Sequence, residues 1–191
     1  MSIAYSGAMP APSRIHRDQV VAAARVLLER GDSALTMQAV AHEVGVRAPS
    51  LYKHVRDRDD LVGLIRDATI VDLTEGMLEI DAPSASDRII AYARHVRAFV
   101  ARWPLGSQLL FQRADAHSTR DLLQRAAAPV VRTCAELVGH PHALDAARTL
   151  TAWVYGFSRM EQADAFNLGH DTDRAFEFGL KTIVGTMTPT R

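Results

Sequence analysis

The chain has 191 residues, 48% of them hydrophobic, and its 22 basic and 22 acidic side chains leave no formal net charge at neutral pH. That length allows one sizeable domain or two small ones with a real core, and a mixture rich in Ala, Leu, Val and Arg favours helices. No run of about 18 apolar residues is present, which excludes a membrane-spanning helix, and the single cysteine, Cys134, excludes an internal disulfide and fits a reducing compartment.

Residues 1–13, MSIAYSGAMPAPS, lack both a basic start and a sustained apolar segment, so they read as a disordered leader rather than a secretion signal, and the protein is expected in the cytoplasm. Over residues 17–30, Val20, Ala24, Leu27 and Leu28 fall at i, i+4, i+7 and i+8, which predicts a helix stopped by Gly31. Thr36 caps a second helix in which Met37, Val40, Ala41 and Val44 share a face before Gly45 ends the pattern. Two turns of helix are unstable alone, so this one must be held by its neighbours. Pro49 then opens a third helix, because a missing N–H costs nothing at the first helical position. In it Leu51 and Val55 point to one side, Ser50, Lys53 and His54 elsewhere, with Tyr52 at the border. Asp57 caps a fourth helix, with Asp59 and Asp60 in its first turn where the helix dipole favours them. Leu61, Leu64, Ile65 and Ala68 carry it toward Leu78 as a connector.

A loop at 81–84 is followed by Ile89, Tyr92, Ala93, Val96, Phe99, Val100 and Trp103 at helical spacing, up to a bend at Pro104. Further helices are predicted over 105–113, over 119–138 with Pro129 as a kink point, over 141–166 and over 173–187. No alternating strand pattern occurs, so the fold is read as all-α with about nine helices. Cys134, at a core spacing, is expected to be structural.

Short helices joined by tight turns match a helix-turn-helix, whose second helix enters the major groove with its N-terminal residues at base edges. Residues 45–58 supply Arg47, Lys53, Arg56 and Arg58 against Asp57 alone, a local basic patch suited to phosphate even in a neutral chain. Ser50 suits bases or phosphate, Tyr52 a phosphate, a sugar or a thymine methyl, and Lys53 and His54 phosphates or guanine acceptors. The competing reading, that Tyr52 and His54 merely fill gaps in a small helical module, leaves a Tyr, a Lys and a His crowded together for no reason.

The run LTMQAVAHEVGVRAPSLYKHVRDRDDLVGLI, residues 35–65, resembles the DNA-binding region of the tetracycline-repressor (TetR) family, including its Leu-Tyr-x-His-Val run, a charged turn and a Leu-rich helix. The resemblance implies that Thr36, Arg47, Ala48, Pro49, Ser50, Tyr52, Lys53, His54 and Arg58 face DNA, with Ala48 standing where polar side chains are often found. It also implies a division into a helix-turn-helix DNA-binding domain at 14–60, a connector helix at 61–80 and a ligand-binding and dimerisation domain at 81–191. Within the last, Trp153-Val154-Tyr155-Gly156 is similar to the Trp-x-His-Gly signature of one TetR-like group, with Tyr155 in place of the histidine.

Tyr92, His95, Phe99, Trp103, Phe111, Trp153, Tyr155, Phe157 and Met160 together suggest a mainly apolar pocket, although each taken singly fits an ordinary core. The stripe Phe176, Leu180, Ile183, Val184 and Met187, with the apolar pattern around Leu150, Val154 and Phe157, is expected to form a four-helix dimer interface; the competing reading makes the stripe intramolecular core. Arg159 and Glu161 are expected on a solvated or dimer-facing surface. The expected function is a homodimeric repressor on a palindromic operator in double-stranded DNA, with half-sites about 34–36 Å or more apart, released by a small, mainly apolar effector. The alternative is a constitutive DNA-binding protein without effector. No enzyme, metal or cofactor is expected. His140-Pro141-His142 lacks further ligands at recognisable spacing, Val46 stands where a zinc-protease helix beginning at His42-Glu43 needs its second histidine, and neither a Gly-x-Ser-x-Gly elbow nor a Walker-type loop occurs.

Overall fold

A computed structural model describes residues 15–112, 117–167, 169 and 171–187; the expected leader at 1–13 lies outside them. Every regular element among the described residues is helical. The α-helices are α1 (Arg17–Glu29), α2 (Met37–Glu43), α3 (Ala48–Leu51), α4 (Arg58–Leu78), α5 (Ala85–Arg102), α6 (His117–Val138), α7 (Ala143–Gln162) and α8 (Thr172–Met187), with 3-10 helices at Asp32–Ala34, Gly106–Phe111 and His140–His142. The nine helical segments expected from periodicity all occur, the one near Leu105 as the 3-10 helix Gly106–Phe111. No helix among the described residues is long and apolar enough to cross a membrane. The chain divides into two compact units, residues 1–62 and 63–191.

In the first unit, Val20 and Ala24 of α1, Val40 of α2, Leu51 of α3 and Leu61 at the start of α4 are fully buried, and Leu35 and Val55 nearly so. These short helices are therefore held by a shared core rather than by their own hydrogen bonds. Thr36 caps α2, its hydroxyl accepting from the Ala39 N–H at 3.1 Å, a contact worth about 1 kcal/mol. At the other end Gly45 adopts φ +71°, and its N–H donates to His42 O at 3.1 Å while the Val46 N–H donates to Ala41 O at 2.9 Å. This pair of bonds closes α2 in a Schellman turn, for which the left-handed conformation at Gly45 is required. No atom lies near the position a Cβ would take there, so Gly45→Ala is expected to cost about 1–2 kcal/mol from backbone strain alone; thermal unfolding of the variant measures it.

The third helix begins one residue earlier than the sequence suggests, at Ala48, with Pro49 second, still within the turn whose N–H groups lack helical acceptors. It is also shorter, because Leu51 O already accepts from His54 N at 2.8 Å and Val55 N at 3.0 Å, and residues 52–54 form a turn. Asp57 starts α4 by accepting from Asp60 N at 2.8 Å, and Asp60 accepts from Arg56 N at 2.9 Å. The Arg56 backbone bond, with help from its guanidinium, holds the Asp60 carboxyl below the usual carboxylate range.

The second unit is built around Phe176 of α8, which is fully buried. Trp153 stacks on it at 5.3 Å between centroids, Phe157 meets it edge-on at 5.3 Å, and the Arg97 guanidinium lies 4.6 Å from its ring centre. Gly179, one turn on, leaves room for the indole: a Cβ there would come within 2.3 Å of Trp153 Cζ2. Buried Thr119 at the start of α6 donates to Asp67 Oδ1 of α4 at 2.7 Å. Cys134 is fully buried, and burial pushes its thiol up, which suits a packing role. The helix expected over 141–166 is shorter at both ends. Pro141 belongs to a 3-10 turn behind Gly139 (φ +81°), so α7 starts at Ala143. Asp164 takes φ +50°, with Asp164 N donating to Glu161 O at 3.0 Å and Ala165 N to Met160 O at 2.9 Å, so α7 ends before Phe166.

Candidate nucleic-acid interface and effector pocket

Burial of Leu51 and Val55 fixes which way the turn at 52–54 faces. Tyr52 is 56% exposed, Arg47, Pro49 and Lys53 are exposed, and Ala48, Ser50 and His54 are half-buried between them. A phenol, an ammonium and a guanidinium thus stand beside a small hydroxyl on one short stretch, the mixture of donors that phosphates and base edges accept. Thr36 is exposed at the N-terminus of α2, with its hydroxyl serving as that helix's cap. Arg58 is placed differently from the other expected DNA-facing residues. Its Nε donates to Leu35 O at 3.2 Å and its Nη2 to Asp32 Oδ1 at 2.5 Å, so it clamps the 3-10 turn Asp32–Ala34 against the start of α4. Nothing in local spacing announces this pair, since its partners lie 26 residues apart in sequence.

The second unit contains an apolar cavity of about 140 Å³. Ile70, Leu73 and Met77 of α4 and Val96 of α5 form part of its wall, completed by Leu110, Phe111, residues of α6, and Thr151 and Tyr155 of α7. It adjoins a more open groove of about 560 Å³ along α6 and α7, with Phe111, Ala127, Val130, Thr151 and Tyr155 common to both. Tyr155 meets Phe111 edge-on at 4.5 Å, and its hydroxyl donates to Ser107 O at 3.3 Å. Burial pushes the Tyr155 phenol up, against the opposing charge of Arg159.

Of the nine expected pocket residues, Phe111 and Tyr155 stand on these walls and the other seven stand elsewhere. Trp153 and Phe157 pack on Phe176, and Tyr92 and Phe99 are buried in helix packing. His95 lies over Gly76, where a Cβ would come within 2.4 Å of its ring, and Trp103 ends α5 under Arg102. Met160 is 48% exposed. The reason is helical phase: residues two apart are about 200° apart around a helix, so Trp153 and Tyr155 cannot share a cavity. The same arithmetic finds what aromatic counting missed, since Thr151 is one turn before Tyr155 on the same face.

The expected dimer stripe lies inside one subunit. Phe176, Leu180, Val184 and Met187 are buried without a second copy, and Ile183 packs against the same core, which is the competing intramolecular reading of that stripe. Glu161, expected on an open or dimer-facing surface, instead accepts a two-pronged hydrogen bond from Arg97, one arm at 2.9 Å, and Arg97 also reaches Asp173 at 2.7 Å. The Arg97 guanidinium holds the Glu161 carboxyl below its usual range. Arg159 likewise turns back to donate to Pro104 O at 3.1 Å. Among the described residues no cluster of three or more His, Cys, Asp or Glu is suited to a metal.

Residues 20–65 match the family model described as bacterial regulatory proteins, tetR family, and residues 89–183 match the tetracyclin repressor-like C-terminal domain. An uncharacterised HTH-type transcriptional regulator of Mycobacterium tuberculosis is 28% identical over 172 residues, covering 86% of this chain and 78% of that protein. The solved structure of a protein of unknown function from Rhodococcus sp. RHA1 is similar with a TM-score of 0.80 at 21% identity, over 93% of this chain and 99% of the other. A tetracycline-repressor variant from Acinetobacter baumannii, solved in complex with minocycline, gives 0.69 at 23% identity, over 91% and 96% of the two chains. At these identities the two structures speak for the fold.

Proposed function

Because the chain belongs to the TetR family of bacterial regulatory proteins and is thus a DNA-binding transcriptional regulator rather than an enzyme, we propose that it is a homodimeric repressor released from a palindromic operator by a small molecule. The observation that carries the DNA side of this reading is the split in the Leu51–Val55 turn: two apolar residues buried, and Tyr52 and Lys53 between them exposed. Residues 14–60 act as the DNA-binding domain, 61–80 as the connector and 81–191 as the ligand-binding and dimerisation domain. Arg47 and Lys53 meet phosphates, Ser50, Tyr52 and His54 meet base edges, sugars or phosphates, and Thr36, Ala48 and Pro49 line the same approach. Arg58 positions this surface through its clamp on Asp32. DNA as the partner goes with action in the cytoplasm.

A single one-turn helix reads few base pairs, so a second copy is needed to supply a second half-site. With the Phe176 stripe buried, the faces of α7 and α8 left for a partner are those carrying Met160 and Phe178, 48% and 74% exposed. The cavity favours an effector over constitutive binding, and the minocycline bound to the Acinetobacter relative is in keeping with that. Ile70, Leu73 and Met77 belong to α4, the helix that starts at Arg58. A ligand that prefers a shifted α4 changes the separation of the two recognition segments, and a coupling of about 1–3 kcal/mol is enough.

Selection of bound duplexes from a random pool tests this reading. The expected product is a two-fold symmetric site whose half-sites are about 34–36 Å, or a multiple of that, apart, bound by a species that sediments as a dimer. An unselective pool, or a monomer bound to one asymmetric site, contradicts it.

A further inference from the structure

We propose that the effector is an uncharged single-ring phenol, seated with its ring among Ile70, Leu73 and Met77 and its hydroxyl at Tyr155 and Thr151. The inference rests on the ligand-responsive reading above and adds the chemical class that the cavity accepts.

Size comes first. A cavity of about 140 Å³ is close to the roughly 150 Å³ of an apolar protein cavity known to take up benzene, so one ring with a small substituent fills it, and a fused-ring system has to extend into the adjoining groove. Charge comes second. Among the described residues the lining contains no acidic, basic or imidazole side chain, and an ion placed there unpaired loses its hydration with nothing in return. Arg148 lines only the open outer groove, where its side chain is 70% exposed and so solvated by water, and Arg159, whose charge reaches the Tyr155 phenol, is already held by Pro104 O.

Hydrogen-bond sense decides the rest. Tyr155 has a single hydroxyl proton and gives it to Ser107 O, which leaves its oxygen free to accept. Thr151, one turn earlier on α7 and exposed where cavity and groove meet, brings a hydroxyl that donates or accepts. A ligand hydroxyl matches both: it donates to Tyr155 Oη and accepts from Thr151. An ether or ketone offers no proton to Tyr155, and a plain hydrocarbon bonds to neither group, leaving the Tyr155 hydroxyl with Ser107 O alone. The bond also extends a chain from ligand through Tyr155 to the Ser107 carbonyl, in the 3-10 helix that carries Leu110 and Phe111 of the cavity wall.

The test is calorimetric titration of the full chain with 4-methylphenol, toluene, 4-methylanisole, benzoate and benzylamine, on the parent protein and on Tyr155→Phe and Thr151→Val. The expected order places 4-methylphenol about tenfold tighter than toluene or 4-methylanisole, the size of one hydrogen bond, with no measurable binding of the two ions. Tyr155→Phe removes most of that tenfold preference and leaves toluene binding as it was; Thr151→Val, which keeps Tyr155 in place, lowers 4-methylphenol binding by a smaller factor. Equal binding of toluene and 4-methylphenol, an unchanged preference in Tyr155→Phe, or tighter binding of benzoate overturns the phenol class. Operator affinity measured with and without 4-methylphenol separates the two levels. Binding of the phenol with no change in operator affinity refutes the ligand-responsive reading and leaves the class standing, whereas release of DNA by a larger or charged molecule alone refutes the class and leaves that reading standing.

Discussion

Shortening Leu51 to alanine is expected to remove DNA binding and to cost about 2–5 kcal/mol, the usual range for a buried Leu→Ala change. Leu51 is fully buried, and the helix that carries it is a single turn with no stability of its own. Its carbonyl also accepts from both His54 and Val55, so the whole turn bearing Tyr52 and Lys53 is referred to this residue. Typical stabilities of about 0.05–0.15 kcal/mol per residue give a helical unit of this size only a few kcal/mol, comparable to the expected loss. Tyr52→Ala is the comparison: the ring is more than half exposed, so its loss is expected to weaken DNA binding and leave thermal unfolding nearly unchanged. A Leu51→Ala protein that melts like the parent and keeps its operator affinity contradicts the placement of Leu51 as the anchor of the recognition turn.

The largest stability effect in the second unit is expected at Phe176→Ala, about 3–5 kcal/mol. The ring is fully buried, touches Trp153 and Phe157, and lies under the Arg97 guanidinium, so truncation leaves a cavity and strips one face from a cation that also holds Glu161 and Asp173. Phe178→Ala, two residues on, is expected to do the opposite. It is 74% exposed, so it contributes little to the fold of one subunit and, on the proposed dimer face, matters for association. Denaturant unfolding and sedimentation of the two variants distinguish these roles. A Phe176→Ala protein of parental stability that has lost its dimer returns the buried stripe to the interface.

How far the sequence carries depends on whether a feature is local. Helix positions were legible because Val20, Ala24, Leu27 and Leu28, or Leu61, Leu64, Ile65 and Ala68, repeat with the helical period, and because Thr36, Gly45 and Asp57 are capping residues. The inward pair Leu51 and Val55 was legible for the same reason, and with it the outward sense of Tyr52 and Lys53. The length of α3 was not, because a one-turn helix followed by a turn leaves the same apolar spacing as a two-turn helix. Neither was the clamp of Arg58 on Asp32, nor the Arg97 bond to Glu161 across 64 residues, because both join positions that only the fold brings together. The pocket was legible at two residues only. Counting aromatic residues finds Phe111 and Tyr155, while the aliphatic walls of Leu73 and Met77 look like any core stripe until the helices are in place. The α8 stripe shows the converse limit: periodicity reveals an apolar face and is silent on whether the same subunit or another covers it.

The measurement that bears most directly on DNA recognition at residues 47–54 is a salt titration of duplex binding, using the duplex recovered by selection and a scrambled one, with the parent protein, Tyr52→Ala and Lys53→Ala. The expected result is preference for the selected duplex, an affinity that falls with salt at about 0.9 logarithmic units per phosphate contact, a slope smaller by about 1 for Lys53→Ala on both duplexes, and a narrowed preference for Tyr52→Ala. Salt-independent binding, equal affinity for the two duplexes, or parental behaviour in both variants contradicts it.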